Sequence, residues 1–284
     1  MSTPDSRVGC SSITFRHRPL DEALRIIREL GFAEIDLGAL PGVCDHVPMV
    51  LDAEAIRFVG GQVKDSGLAV RSINADVGDL NEPLDDAAQA ARDEHVAALI
   101  ELARETGSGA IVLPCGRLAS EPIVGESADL DLVAAQLHRA ADAVCAAGFE
   151  LWVEALHSLR FCHNARRATA LVGRLDRRRV GIVYDVSHVV AAEDDTRAYL
   201  DALDDRVVHV HLRDAVPGDI HLSIGNGKVD FADLLEAFKE HAYPGHYALE
   251  LETRDVAEGD RPAATERASD YISNLLTKAP AQAR

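Results

Sequence analysis

Four short apolar segments in the second half of the chain each end in a side chain able to hold a metal ion or move a proton. They are Trp152-Val153-Glu154, Val183-Tyr184-Asp185, Val208-His209-Val210-His211 and Ala248-Leu249-Glu250. Three carboxylates and one imidazole are hard or borderline donors, a set that suits a divalent cation better than a thiolate-seeking one. The expected cofactor is one such ion, Mn²⁺ first, with Mg²⁺, Co²⁺ or Zn²⁺ as alternatives. Three acidic groups aimed at one place repel one another, and a cation relieves that conflict. A single Asp or Glu at a strand end is more often a turn former or a helix cap. The signal lies in four coincidences at matching places.

Residues beside these four add a second layer. In Val207–Asp214, side chains two apart share a face, so His209, His211 and Arg213 point one way while Val208, Val210 and Leu212 point the other. His209, one pleat deeper than His211, reads as a hydrogen-bonded core histidine, Arg213 as a substrate or supporting contact, and Asp214 as a loop former. Asp185-Val186-Ser187-His188 spaces a carboxylate and an imidazole across a strand-to-loop turn. His157 and Arg160 follow Glu154 in a loop, where they could bind sugar hydroxyls or a carboxylate. His221 opens a stretch whose Gly225 and Gly227 can let the backbone bend over a site. His46, in the loop Ala39–Pro48, reads as a surface histidine.

The elements that must position these residues repeat one pattern: apolar strand, polar loop, amphipathic helix, turn. Strands are predicted at Val8–Thr14, Glu34–Gly38, Ala69–Ala75, Ala110–Pro114, Glu150–Leu156, Val180–Asp185, Val207–Arg213 and His246–Glu252. Helical periodicity fills the intervals at Leu20–Leu30, Ala53–Ser66, Asp85–Thr106, Leu130–Ala147, Ala165–Arg174, Thr196–Ala202, Phe231–His241 and Thr265–Leu276. Gly31, Gly67, Gly107 and Gly148 each follow a helix, where a left-handed residue closes the last turn. Alternating βα units imply an α/β fold with a parallel sheet, and eight of them imply closure into a (β/α)8 TIM barrel. An open doubly wound sheet competes, but no GxGxxG follows the first strand, and the polar residues sit at several strand ends rather than at one switch point. The chain, residues 1–284, reads as one TIM-barrel domain with a tail that frays after Thr277.

Composition narrows the partners. A formal charge of −18 over 284 residues repels phosphate backbones and anionic membranes, so neither nucleic acid nor a membrane is an expected partner. No run of 18 apolar residues offers a membrane span. The five cysteines are widely spaced without CxxC, so neither a disulfide framework nor a thiolate zinc site is indicated. The N-terminus lacks a secretory apolar region, and a cytoplasmic location is expected.

On the motifs Trp-Val-Glu154-Ala-Leu-His157, Tyr-Asp185-Val-Ser-His188, Val-His-Val-His211-Leu-Arg-Asp214, His221-Leu-Ser-Ile-Gly225-Asn-Gly227 and Leu-Glu250-Leu-Glu, the chain resembles the sugar isomerase/epimerase superfamily of xylose isomerase-like TIM barrels. That group also contains type IV apurinic endonucleases. The resemblance implies one divalent metal held by Glu154, Asp185, His211 and Glu250, with Glu154 and Glu250 doubling as the acid/base pair. It implies substrate contacts by His188 and a loop residue near Arg160, to which His157, Arg213 and His221 are added as candidates. The implied activity is isomerisation or epimerisation of a sugar, keto-sugar or polyol-like substrate through a metal-stabilised enediolate. A lyase or dehydratase acting on a sugar conjugate, or an endonuclease-like phosphodiesterase, is the alternative, and a homodimer or homotetramer is the implied assembly. Arg160 stands where ketose 3-epimerases carry a second carboxylate, and His157 where hydroxypyruvate isomerases carry Asn. Strands three and four end in Ser72-Ile-Asn74-Ala-Asp76 and Leu113-Pro-Cys115-Gly, without the histidines of the endonuclease zinc cluster.

Overall fold

The computed structural model describes residues 3–277; the tail expected to fray lies outside them. Seven strands, β1 (Val8–Ser11), β2 (Glu34–Ala39), β3 (Ala69–Ala75), β4 (Ala110–Pro114), β5 (Glu150–Glu154), β6 (Val180–Asp185) and β7 (Val207–Leu212), are joined by a late one, β10 (Tyr247–Leu249), into a closed parallel barrel. β10 pairs with β7 on one side and with β1 on the other, which leaves no open edge. A small antiparallel hairpin, β8 (Asp214–Val216) with β9 (Asp219–Leu222), sits above the barrel between β7 and β10.

Helices follow the strands: α1 (Leu20–Glu29), α2 (Ala53–Ser66), α3 (Asp86–Thr106), α4 (Glu126–Ala146), α5 (Ala165–Val172), α6 (Val186–Ala191), α7 (Thr196–Leu203), α8 (Phe231–Glu240) and α9 (Arg261–Thr277). α1 shows why they pack: Leu20, Ala23, Leu24 and Ile27 recur at helical spacing and are its buried residues. Asp52, Asp85, Asn164, Asp195 and Asp230 each accept a backbone N–H at a helix start. Gly67 and Gly107 end α2 and α3 in the left-handed region, at φ 68° and 71°. Among the described residues, no helix is long and apolar enough to cross a membrane.

Inside the barrel, Ala110, Val112, Trp152 and Val183 form a buried apolar cluster toward the amino ends of the strands. Gly181 makes room for it, because a Cβ there would lie 2.5 Å from Val208 Cγ2 and 2.9 Å from Trp152 Cδ1. The indole of Trp152 stacks on the His209 ring at 5.4 Å between centroids. On β5, β6 and β7 the inward position two residues further along is polar: Glu154 after Trp152, Asp185 after Val183 and His211 after His209. The strand alternation thus stacks a polar layer on an apolar plug.

The structure departs from the predicted elements where side chains override local pattern. The first strand stops at Ser11 and turns into a short 3₁₀ helix, Ser12–Phe15, and the last strand stops at Leu249. α4 begins at Glu126 rather than Leu130, because the buried Asp129 carboxylate gathers the N–H groups of Ile123, Val124 and Gly125 at 2.7, 3.0 and 3.1 Å. α9 begins at Arg261 rather than Thr265, where Arg261 reaches back to Leu251 and Thr253. α6 forms from a β-branched run because the Asp185 carboxylate accepts the Ser187 N–H at 2.8 Å as its cap. Asp214 opens β8, and its carboxylate holds the loop above it through the N–H groups of Ala215, Gly225 and Val229 at 2.8, 2.8 and 3.0 Å. His46 is buried rather than on the surface, 6% exposed, with Nδ1 3.0 Å from Ser12 Oγ and Nε2 3.0 Å from the Arg18 carbonyl. That latch fixes the loop after β2 against the turn after β1.

Candidate active site

Glu154, Asp185, His211 and Glu250 meet at the carboxyl end of the barrel, none more than 6% exposed. Asp185 is level with His211 in the β6–β7 register, and Ala248 is level with His211 on β10, so Glu250 stands one inward pleat further along. Donor atoms here form three trios, each within 4.8 Å: Asp185, His211 and Glu250; Asp36, His209 and His211, which shares His211 with the first; and, separately, Glu154, His157 and His188. His211 Nδ1 lies 3.5 Å from Glu250 Oε2, and its Nε2 lies 3.5 Å from Asp36 Oδ2.

Among the described residues, both ring nitrogens of His211 and Oε1 of Glu154 are buried with no hydrogen-bond partner. Buried polar atoms are nearly always bonded, and a buried imidazole orphaned at both nitrogens beside three carboxylates fits a cation site. The charges agree. Burial works against an imidazolium, yet the Glu250 and Asp36 carboxylates win and push His211 up to about 10. Burial pushes the Glu250 carboxyl up, against the pull of His211 and Arg213, and the Asp185 and Glu154 charges push the same way. Burial works against Asp185 ionising too, but His188, Arg213 and His211 hold it below its ordinary value. Without an ion, positive charge comes from the His211 proton and the Arg213 guanidinium, which lies 3.3 Å from Asp185 Oδ2 and 4.0 Å from Glu250 Oε2.

Surrounding groups set orientation. Ser158 donates its backbone N–H to His188 Nδ1 at 3.1 Å, and His188 Nε2 lies 3.1 Å from Glu154 Oε1. The His157 ring packs on the His188 ring at 3.8 Å, and burial, helped by the charges of His188, Arg160 and Arg213, keeps His157 neutral. Ser187 Oγ donates to Asp185 Oδ1 at 2.6 Å and receives Arg213 Nε and Nη2 at 3.2 and 3.1 Å. His209 donates to Asp36 Oδ2 at 2.7 Å, and Ser72 Oγ donates to Asp36 Oδ1 at 2.7 Å. Burial alone would raise the Asp36 carboxyl; His209 and His211 instead hold it far below the carboxylate range.

A cavity of about 300 Å³ opens above this layer. Glu154 and Glu250 line it, while Asp185 and His211 lie beneath its floor. His157, Arg160, His188, Arg213 and His221 also line it. Arg160 is clamped by the Gly116 carbonyl at 2.9 Å and Asp76 Oδ2 at 2.7 Å, and His221 Nδ1 is 3.0 Å from the Glu252 carbonyl. A larger cavity of about 500 Å³ lies between α3 and α4, lined by Val77, Leu80 and Arg92 among others. It holds none of the carboxylate–imidazole trios, so the chemistry belongs to the smaller one.

Two members of the site escaped sequence reading. Asp36 shows only as a lone carboxylate inside the apolar run Ile35-Asp36-Leu37, a period-two signal for an inward polar group. Asn74, at the end of β3, donates Nδ2 to Glu250 Oε1 at 3.1 Å.

A family model described as xylose isomerase-like TIM barrel matches residues 24–275 of the chain. Among curated proteins, the L-ribulose-5-phosphate 3-epimerase UlaE of Salmonella paratyphi A is 30% identical over 97 residues, 34% of this chain and 33% of that protein. The match thus spans about a third of that relative's length. A solved L-ribulose 3-epimerase aligns over 95% of this chain and 94% of its own, at TM-score 0.76 and 21% identity. The IOLI protein, solved with a bound zinc atom, aligns over 96% of this chain and 100% of its own, at TM-score 0.75 and 15% identity. At such identities the two structures speak for the fold.

Proposed function

The chain belongs to the xylose isomerase-like TIM barrel family, and from that premise we propose that it is a metal-dependent sugar isomerase or epimerase. Its chemistry is proton transfer at a carbon next to a carbonyl. One observation carries the reading: of the four clustered donors, the two glutamates alone line the cavity. They stand on β5 and just past β10, with β6 and β7 between them in the barrel order, so they flank whatever occupies the space.

Glu154, Asp185, His211 and Glu250 would hold one divalent ion, Mn²⁺ in our reading. When bound, such an ion supplies Lewis-acid stabilisation of the negative charge that develops on the substrate oxygens. The chain's own residues do the rest. One glutamate takes the proton from carbon and the other returns it; return to the neighbouring carbon of the enediolate gives an isomer, return to the same carbon on the opposite face an epimer. A buried carboxyl raised above its ordinary range, as Glu250 is, takes up a proton more readily near neutral pH. His188, with Nε2 3.1 Å from Glu154 Oε1, flanks that carboxylate. His157, Arg160, Arg213 and His221 contact and align the hydroxyl-rich substrate from the cavity walls.

Glu154→Gln and Glu250→Gln are each expected to abolish solvent-deuterium exchange into a ketose substrate while the folded state persists by circular dichroism. Exchange retained in both variants would sink the acid/base assignment.

A further inference from the structure

We propose that the substrate is an unphosphorylated sugar bearing an apolar substituent at the end remote from the reacting carbon, an inference that rests on the isomerase/epimerase reading above. Two independent observations support it.

The first is the wall above the polar floor. Ile13, Leu40, Val43, Leu118, Leu159 and Ile220 line the cavity, contributed by the segments after β1, β2, β4 and β5 and by the hairpin. Leu118, Leu159 and Val43 remain 63%, 51% and 43% exposed at the rim. A bare sugar or a phosphate would leave these side chains in water, whereas an apolar group laid against them removes both surfaces from it.

The second is the state of the cations. Phosphate recognition needs guanidinium or N–H donors free to engage the anion. Of the three arginines that line the cavity, Arg160 is committed to Asp76 and the Gly116 carbonyl, and Arg213 to Asp185, Ser187 and Glu252. Arg254 alone of the three has no ion pair among the described residues, and it is exposed at the rim. Asp76 and Glu252 also line the cavity, in addition to Glu154 and Glu250. Beyond the imidazoles of His157, His188 and His221, a phosphate dianion would therefore meet one peripheral guanidinium and a carboxylate-rich wall.

The test uses the full chain loaded with Mn²⁺ and a panel of pentuloses and hexuloses. Each sugar is offered free, as its terminal phosphate and as its terminal O-benzyl ether, with solvent-deuterium incorporation beside the carbonyl giving kcat/KM. For any sugar turned over, the benzyl ether should exceed the free ketose by about tenfold, on the order expected for burying part of one phenyl ring, and should exceed the phosphate as well. Leu118→Ser and Leu159→Ser should each shrink the ratio of benzyl ether to free ketose, by about threefold. A terminal phosphate that is the best of the three forms, or a benzyl ether no better than the free ketose, overturns the proposal and leaves the isomerase reading standing. No exchange with any member of the panel overturns both.

Discussion

Metal affinity should climb steeply with pH across a range where an ordinary histidine site would be flat. The cause is His211, whose imidazole is pushed up to about 10 by the Glu250 and Asp36 carboxylates despite its burial. A metal-ligating imidazole must be neutral, so binding expels that proton. Between pH 6.5 and 8.5 each unit should therefore raise the affinity about tenfold, worth ~1.4 kcal/mol, or roughly 100-fold over the interval. A histidine at its ordinary value of about 6.5 would be largely deprotonated over the same interval and would contribute only about twofold. The raised Glu250 carboxyl adds further slope at the acidic end. The assay is competition for Mn²⁺ or Zn²⁺ between chelator-stripped protein and a chromophoric chelator of known proton affinity. Calorimetry in buffers of differing ionisation enthalpy should count about one proton released at pH 8. An affinity that is flat above pH 7, or no proton released there, would refute the reasoning: either His211 is already neutral or it is not a ligand.

The same proton governs the metal-free fold. A group whose folded value is raised gives stability that is complete below its unfolded value and lost as pH rises toward the folded one. Chelator-treated protein should therefore show a falling thermal midpoint from about pH 6.5 toward 10, and saturating metal should flatten that fall; a metal-free midpoint that rises over this range contradicts it. Asp36→Asn should weaken metal affinity by about 10- to 100-fold, because the charge facing His211 Nε2 is lost, as competition titration of the variant would show. Gly181→Ala should destabilise the barrel by about 1–3 kcal/mol, since its Cβ would intrude on Val208 and Trp152; an unchanged denaturant midpoint would mean the plug can shift at no cost.

The barrel was legible because period-two strands and amphipathic helices are local patterns. Ala53–Ser66 and Ala110–Pro114, for instance, have the predicted bounds. The four strand-end donors were legible for the same reason: strand ends in such a fold share one mouth. Asp36 was not, because its meaning comes from His209, 173 residues away in sequence, and Asn74 bonds to Glu250 across 176. Nothing within either strand announces those partners. α6 was hidden by its own composition, since Val186, Val189 and Val190 favour strand until the Asp185 cap is counted. Arg160 and Arg213 were recognisable as cations near the site, but only the folded contacts show that both are already engaged by carboxylates.

The indole seated in the hollow that Gly181 leaves has a bearing on proton traffic. With Ala110, Val112 and Val183 packed around Trp152, the amino end of the barrel is stoppered by hydrocarbon. Among the described residues, the road to Glu154 and Glu250 is the cavity mouth, beside the paired rings of His157 and His188. An occupant of the cavity closes that road as it enters. In the proposed reaction the proton lifted from carbon would then be shielded from the bulk until the product leaves, so label washed out to solvent in each turnover would report how long the mouth stays shut.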